Sequence, residues 1–189
     1  MSHIKDVDIR SRADWRAWLS TNHAEAGSVW LIRWKKHTPH YVDHMELVAE
    51  ALCWGWIDSA VRKRDADSSR LLMSPRNPKS AWSAVNKRLV DVAEAEGQMT
   101  DAGRALIEAA KANGMWSFLD DVERLEIPPD LAEAFAASPP SRQEWDAFPR
   151  SAKRGILEWI KTAKQPQTRA RRIADTARLA AIGQRANGG

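Results

Sequence analysis

ALCWGWIDSAVRKRDADSSRLLMSPRNPKSAWSAVNKR, residues 51–88, carries three of the ten tryptophans and the single cysteine of a 189-residue chain. Its first part, Ala51 to Ile57, is apolar. A helix arriving there ends at Gly55, because glycine accepts the left-handed backbone that stops a helix. Trp56, Ile57 and Val61 are aromatic and β-branched and read as a strand. Arg62 to Arg70 is polar and turn-like, and Arg70 to Ser74 returns as a second strand, so the expectation is a hairpin with a long loop. Pro75 and Pro78 then forbid regular structure. Ser80 or Ser83 caps a helix running through Asn86 and Leu89.

That proline-held loop places Arg76, Asn77, Lys79 and Ser80 just before a helix start, with Trp56, Asp58 and Trp82 close in sequence. Free N–H groups at a helix start favour anions, and an arginine fork fits a carboxylate or a phosphate. The segment reads as an anion-binding loop flanked by tryptophan. The same residues also fit an ordinary capped helix entry, with Trp82 in the core and Arg76 paired to Asp58. Cys53 and Asp58 are the two candidates for chemistry. A thiol in so apolar a setting is more often a packing residue, and Asp58 is the nearest carboxylate to the basic loop.

Working outward, Asp14 to about Asn22 has Trp15, Trp18 and Leu19 on one helical face, with Asp14 as the cap. Ser28 to Lys36 is a strand with both faces partly covered, and Lys35 and Lys36 at its exit either join the Arg76 site or are simply solvated. His37, His40 and His44 lie too close to Pro39 in a loop to form a metal site, and no metal or cofactor is expected. Tyr41 to Trp54 forms a helix with Met45, Val48, Ala49 and Leu52 as its stripe. Helices follow over Ala81 to about Glu96 and Asp101 to about Asn113. Pro128 and Pro129 mark a boundary region. Beyond it come short helices from Leu131 and Ser141, an amphipathic helix over Ser151 to Lys164 and a last helix from Thr168. The expected fold is α+β and mostly helical. A small antiparallel sheet of about three strands packs with helices in residues 1–119, and a helical C-terminal unit occupies residues 120–189. Residues after Gly183 are expected to fray.

Several of these segments, taken together, resemble the YdeI/OmpD-associated family, also called bacteriocin-protection proteins. They are ALCWGWIDS, SPRNPKSAWSAVNKR and GQMTDAG, then Trp15 and Trp18, VWLIRWKK, and EWIKTAKQPQTRARRI near the C-terminus. The resemblance runs in order from about Ala13 to Ile173. It implies an association with protection against bacteriocins and with an outer-membrane protein, and no reaction or catalytic residues.

Composition narrows the function classes. Hydrophobic residues make up 43% and charged residues 29%, ordinary for a folded domain. One cysteine excludes an internal disulfide and suits a reducing, cytoplasmic setting. The N-terminus has no secretory leader pattern, and no apolar stretch is long enough to span a bilayer. Charge is segregated. Residues 60–90 hold 8 basic and 2 acidic side chains, residues 91–149 hold 4 and 13, and residues 150–189 hold 10 and 2. The basic segments either neutralise the acidic one or form a basic face for a polyanion. Arg169, Arg171 and Arg172 crowd the first turn of the last helix, against its dipole, and so call for acidic partners or a ligand. The leading expectation is a non-enzymatic protein that binds an anionic small molecule or nucleic acid, with these three arginines as candidates to join the Arg76 site. An adaptor acting through a protein partner comes next, and an enzyme using Asp58 or Cys53 comes third.

Overall fold

The hairpin read from the sequence forms one edge of the sheet. In the computed structural model, which describes residues 4–186, β3 (Trp56–Lys63) pairs antiparallel with β4 (Ser68–Pro75). The loop is shorter than expected, because Arg62 and Lys63 continue the strand opposite Arg70 and Ser69. β3 is an edge strand, so its charged side chains stay in water while its backbone pairs. Asp65 closes the turn: its Oδ1 accepts from the N–H groups of Asp67 at 2.8 Å and Ser68 at 2.7 Å.

The sheet has four strands in the order β1-β2-β4-β3. β2 (Val29–Trp34) pairs antiparallel with β4, as the alternating Val29–Trp34 pattern suggests. β1 (Asp6–Asp8) adds a short fourth strand parallel to β2, with Asp6 opposite Trp30. The fold class is therefore as the sequence reads, with a mixed rather than purely antiparallel sheet. Four helices complete this first unit, which ends at Phe118: α1 (Arg12–Asn22), α2 (His44–Cys53), α3 (Ala84–Ala95) and α4 (Asp101–Ala112).

The caps shift some helix starts. Ser11 caps α1, its Oγ accepting from the Asp14 N–H at 3.1 Å, so Asp14 lies inside the first turn instead of capping it. Asp43 and Glu46 form a reciprocal capping box, and α2 starts at His44, after Tyr41. Of the two serines before α3, Ser83 is the cap.

α2 is buried on two sides. Leu47 and Ala51 join Trp15, Leu19, Leu31, Trp56, Leu71 and Met73 in a cluster between the sheet and α1. Val48, Leu52 and Cys53 join Trp82, Val90, Ala93, Ile107 and Ala110 on the other side, against α3 and α4. The tryptophan excess is largely core: Trp18 stacks on Trp15 at 5.3 Å and meets Trp56 edge-on at 5.6 Å. α4 approaches the end of α2 so closely that a β-carbon at Gly103 would lie 2.5 Å from the Cys53 carbonyl oxygen.

The second unit begins at Leu119 and holds α5 (Asp120–Glu123), α6 (Pro129–Ala136), α7 (Ser141–Ala147), α8 (Arg150–Lys161) and α9 (Pro166–Ala180). Proline at the first position of α9 starts it two residues before Thr168, because the missing N–H costs nothing there. Its core joins Leu131, Phe135, Trp145, Ile156, Leu157, Ile160, Ile173 and Ala177. Acidic and basic segments meet inside this unit. Glu123 pairs with Arg154 at 2.9 Å, Asp121 with Lys161 at 2.6 Å and Asp130 with Arg169 at 2.7 Å. Of the residues after Gly183, where fraying is expected, Gln184 donates its N–H to the Leu179 carbonyl at 2.9 Å and Ala186 is buried, while the last three lie outside the described residues. Among the described residues no helix is long and apolar enough to cross a membrane.

Candidate functional site

Strand alternation puts Arg33 on the same face of β2 as the core residues Val29 and Leu31. That face looks toward α2, and Arg33 Nη1 meets His44 Nδ1, at the first residue of the helix, at 3.2 Å. The other ring nitrogen, Nε2, lies 3.2 Å from Asp58 Oδ2 on β3. The tautomer with its proton on Nε2 satisfies both contacts: Nε2–H donates to Asp58 and Nδ1 accepts from Arg33. Three elements thus converge on one chain of side chains.

Arg33 and His44 form part of the wall of a cavity of about 230 Å³, completed by Trp34, Lys35, Lys36 and Tyr41. Lys35 is held by the carbonyls of Asp65 and Ala66, its Nζ donating at 3.3 and 2.6 Å. Lys36 Nζ lies 5.7 Å from the centre of the Tyr41 ring. The Tyr41 hydroxyl donates to Asp43 at 3.1 Å. The Met45 N–H and that hydroxyl hold the Asp43 carboxyl below the usual carboxylate range. Among the described residues neither Arg33 nor Lys36 forms an ion pair.

The loop singled out from the sequence is packed differently. Arg76 is 6% exposed. Its guanidinium lies over Trp82, 4.1 Å from the ring centre, and Nη2 donates to the Ala81 carbonyl at 2.6 Å. Its Nε is buried without a partner. Burial pulls the Arg76 pKa down to about 10, against the opposing pull of Asp58. Asp58 itself hydrogen-bonds His44. Trp56 is buried and donates from Nε1 to the His23 carbonyl at 3.1 Å. Asn77 folds back to accept from the Lys79 N–H at 2.9 Å, while Lys79 and Ser80 are exposed. The structure therefore brings Arg76 and Trp82 together, turns Asp58 to His44 and leaves Lys79 and Ser80 in solvent.

Arg169, Arg171 and Arg172 belong to the second unit. Arg169 forks onto Asp130 at 2.7 and 3.0 Å, which answers its position against the helix dipole. Arg172 donates to the Trp159 carbonyl and lies over that ring at 4.8 Å, with its Nε unpartnered. Arg171 is exposed. Cys53 is fully buried, and desolvation with the nearby Glu50 charge pushes its thiol up to about 11. His37 pairs with Asp67 at 2.9 Å and the His40 ring leans on Trp34, so the three histidines diverge to separate partners. Sequence reasoning passed over Glu50, which is 1% exposed and receives Arg12 at 3.0 Å and Arg16 at 2.6 Å. A glutamate inside the apolar run of α2 was the available signal.

A family model described as Domain of unknown function (DUF8412) matches residues 7–106, more than half of the chain. A second, described as Bacteriocin-protection, YdeI or OmpD-Associated, matches residues 124–183. The chain belongs to the family of that domain of unknown function, and its C-terminal part matches the bacteriocin-protection, YdeI/OmpD-associated family that the sequence resembles. No curated protein and no solved structure matches it. The Arg33 cavity and the Arg76–Trp82 stack both fall in the first matched segment, and Arg169 to Arg172 fall in the YdeI/OmpD-associated segment.

Proposed function

We propose that this bacteriocin-protection family protein is a non-enzymatic binding protein for a small anion, a carboxylate or phosphate held in the Arg33 cavity. One observation carries the reading. Arg33 is a half-buried guanidinium on a cavity wall, fixed by His44 and without a carboxylate partner. A fork of donors held in place and left unneutralised is what planar oxyanions recognise. Lys36 adds a second cation at the mouth, and about 230 Å³ suits a small metabolite rather than a nucleotide. An acid–base role is disfavoured because both ring nitrogens of His44 are already engaged, leaving none within reach of a substrate proton.

The test is calorimetric titration with inorganic phosphate, citrate and short dicarboxylates, on the parent protein and on Arg33→Gln. The expected result is binding that falls at least tenfold in the variant and weakens with salt. A second reading rests on the orphaned Nε of Arg76 and the stack of its guanidinium on Trp82. It requires that Arg76→Met abolish binding while Arg33→Gln does not. Absence of binding by every anion would leave the adaptor reading, in which a protein partner is the ligand.

A further inference from the structure

The second unit holds its own cleft of about 350 Å³, at the lower end of the ~300–1,000 Å³ range of small-molecule sites. Its floor is apolar: Val122 from α5 with Leu157 and Ile160 from α8. Its rim is charged and carries both signs, with Asp121 and Glu126 against Lys161 and Arg169. Lys161 Nζ sits 2.6 Å from both oxygens of Asp121, and Arg169 is forked onto Asp130. The four charges of the rim sum to zero and each is already ion-paired, Glu126 with Arg124 at 2.6 Å. In this it differs from the Arg33 cavity.

A ligand with one charge entering this cleft would break an ion pair and gain only one replacement. A ligand with both charges replaces like with like. Its ammonium takes a carboxylate, its carboxylate takes a cation, and its apolar part covers the floor that the charged rim leaves open to water. We infer that the cleft between α5 and α8 binds a zwitterion with an apolar side chain, of the size of a free amino acid or dipeptide. Asp121 and Glu126 receive the ammonium group, and Lys161 and Arg169 receive the carboxylate. The floor of Val122, Leu157 and Ile160 selects an aliphatic side chain over a polar one. The inference is independent of the anion reading, because its residues all lie in the second unit.

Calorimetric titration of the full chain with L-leucine and L-leucyl-L-leucine tests it, beside two blocked analogues, N-acetyl-L-leucine and L-leucinamide. The expected result is binding of at least one zwitterion, with each blocked analogue at least tenfold weaker. Glu126→Gln, at an exposed rim position, weakens the zwitterion without moving its affinity for N-acetyl-L-leucine. Arg33→Gln leaves leucine binding unchanged, which separates this site from the first. Absence of heat and of any melting shift with both zwitterions overturns the inference. So does N-acetyl-L-leucine binding as tightly as L-leucine, which would make the cleft a carboxylate site.

Discussion

Glu50 and Arg16 hold each other at 2.6 Å across the α1–α2 contact, with the carboxylate 1% exposed and Arg12 on its other oxygen at 3.0 Å. Arg16 also donates to the Gln98 carbonyl at 3.0 Å, so one buried acid ties α1, α2 and the turn before α4. Removing it leaves two guanidinium groups, each about a third exposed, without their shared carboxylate. Glu50→Ala is expected to lose about 1.5–3 kcal/mol in urea unfolding, the worth of hydrogen bonds to a charged group, since the two arginines can turn to water. Arg142→Ala, which breaks an exposed pair on α7, is expected to lose no more than about 1 kcal/mol. Equal losses in the two variants would remove the organising role given to Glu50.

The close approach of α4 to α2 makes a second prediction whose sign opposes helix propensity. Alanine is favoured over glycine inside a helix by about 1 kcal/mol. At Gly103, however, a β-carbon would meet the Cys53 and Leu52 carbonyls at 2.5 and 2.8 Å, and backbone does not give way as a side-chain tip does. Gly103→Ala is therefore expected to destabilise by about 1–3 kcal/mol, the usual cost of overpacking. Gly155→Ala, on α8 with open space around it, is expected to be neutral or stabilising. Thermal melts of the two variants, read against the parent, decide it.

Much of this architecture was legible because it is local. Gly55 followed by Trp56 and Ile57 announces a helix stop and a strand, and the Pro75–Pro78 segment announces the break before α3. What escaped was nonlocal or carried by single polar groups. β1 is three residues, Asp-Val-Asp, and becomes a strand only because β2 offers it an edge. Lys35 and Lys36 were visible as cations at a strand exit. Their neighbour Arg33 meets His44, and His44 meets Asp58, only after two strands and a helix have packed. The Arg76–Trp82 stack joins residues six apart in sequence, so the pairing was within reach of pattern reading. The burial of Arg76 without a carboxylate was not, since it depends on Asp58 turning to His44.

Cys53 offers a chemical check on the enzyme reading. Its thiol is fully buried and pushed up to about 11, so at pH 8 it is almost wholly protonated, and the thiolate is the reactive form. A disulfide reagent such as dithionitrobenzoate is expected to titrate no thiol in the native protein over minutes, and one per chain in denaturant. Fast native labelling of one thiol at pH 8 would return Cys53 to the list of candidate nucleophiles.

The Asp130–Arg169 fork gives a pH signature confined to the second unit. Hydrogen bonds from Arg169, with its charge, hold the Asp130 carboxyl below the usual carboxylate range, outweighing the opposing effect of burial. A carboxylate whose folded pKa is depressed adds stability that is fully present above its unfolded pKa, about 3.9. That stability is lost as pH falls through the lower folded value. Both side chains are partly exposed, 33% for Arg169 and 44% for Asp130, so the pair is worth about 0.2–1 kcal/mol at neutral pH. Arg169→Gln is thus expected to melt slightly below the parent at pH 7, with the gap narrowing as pH falls below the usual carboxylate range. High salt at pH 7 should shrink the same gap, because exposed pairs are screened. A gap that persists unchanged at low pH would mean that Arg169 stabilises the unit through the packing of its stem, not through Asp130.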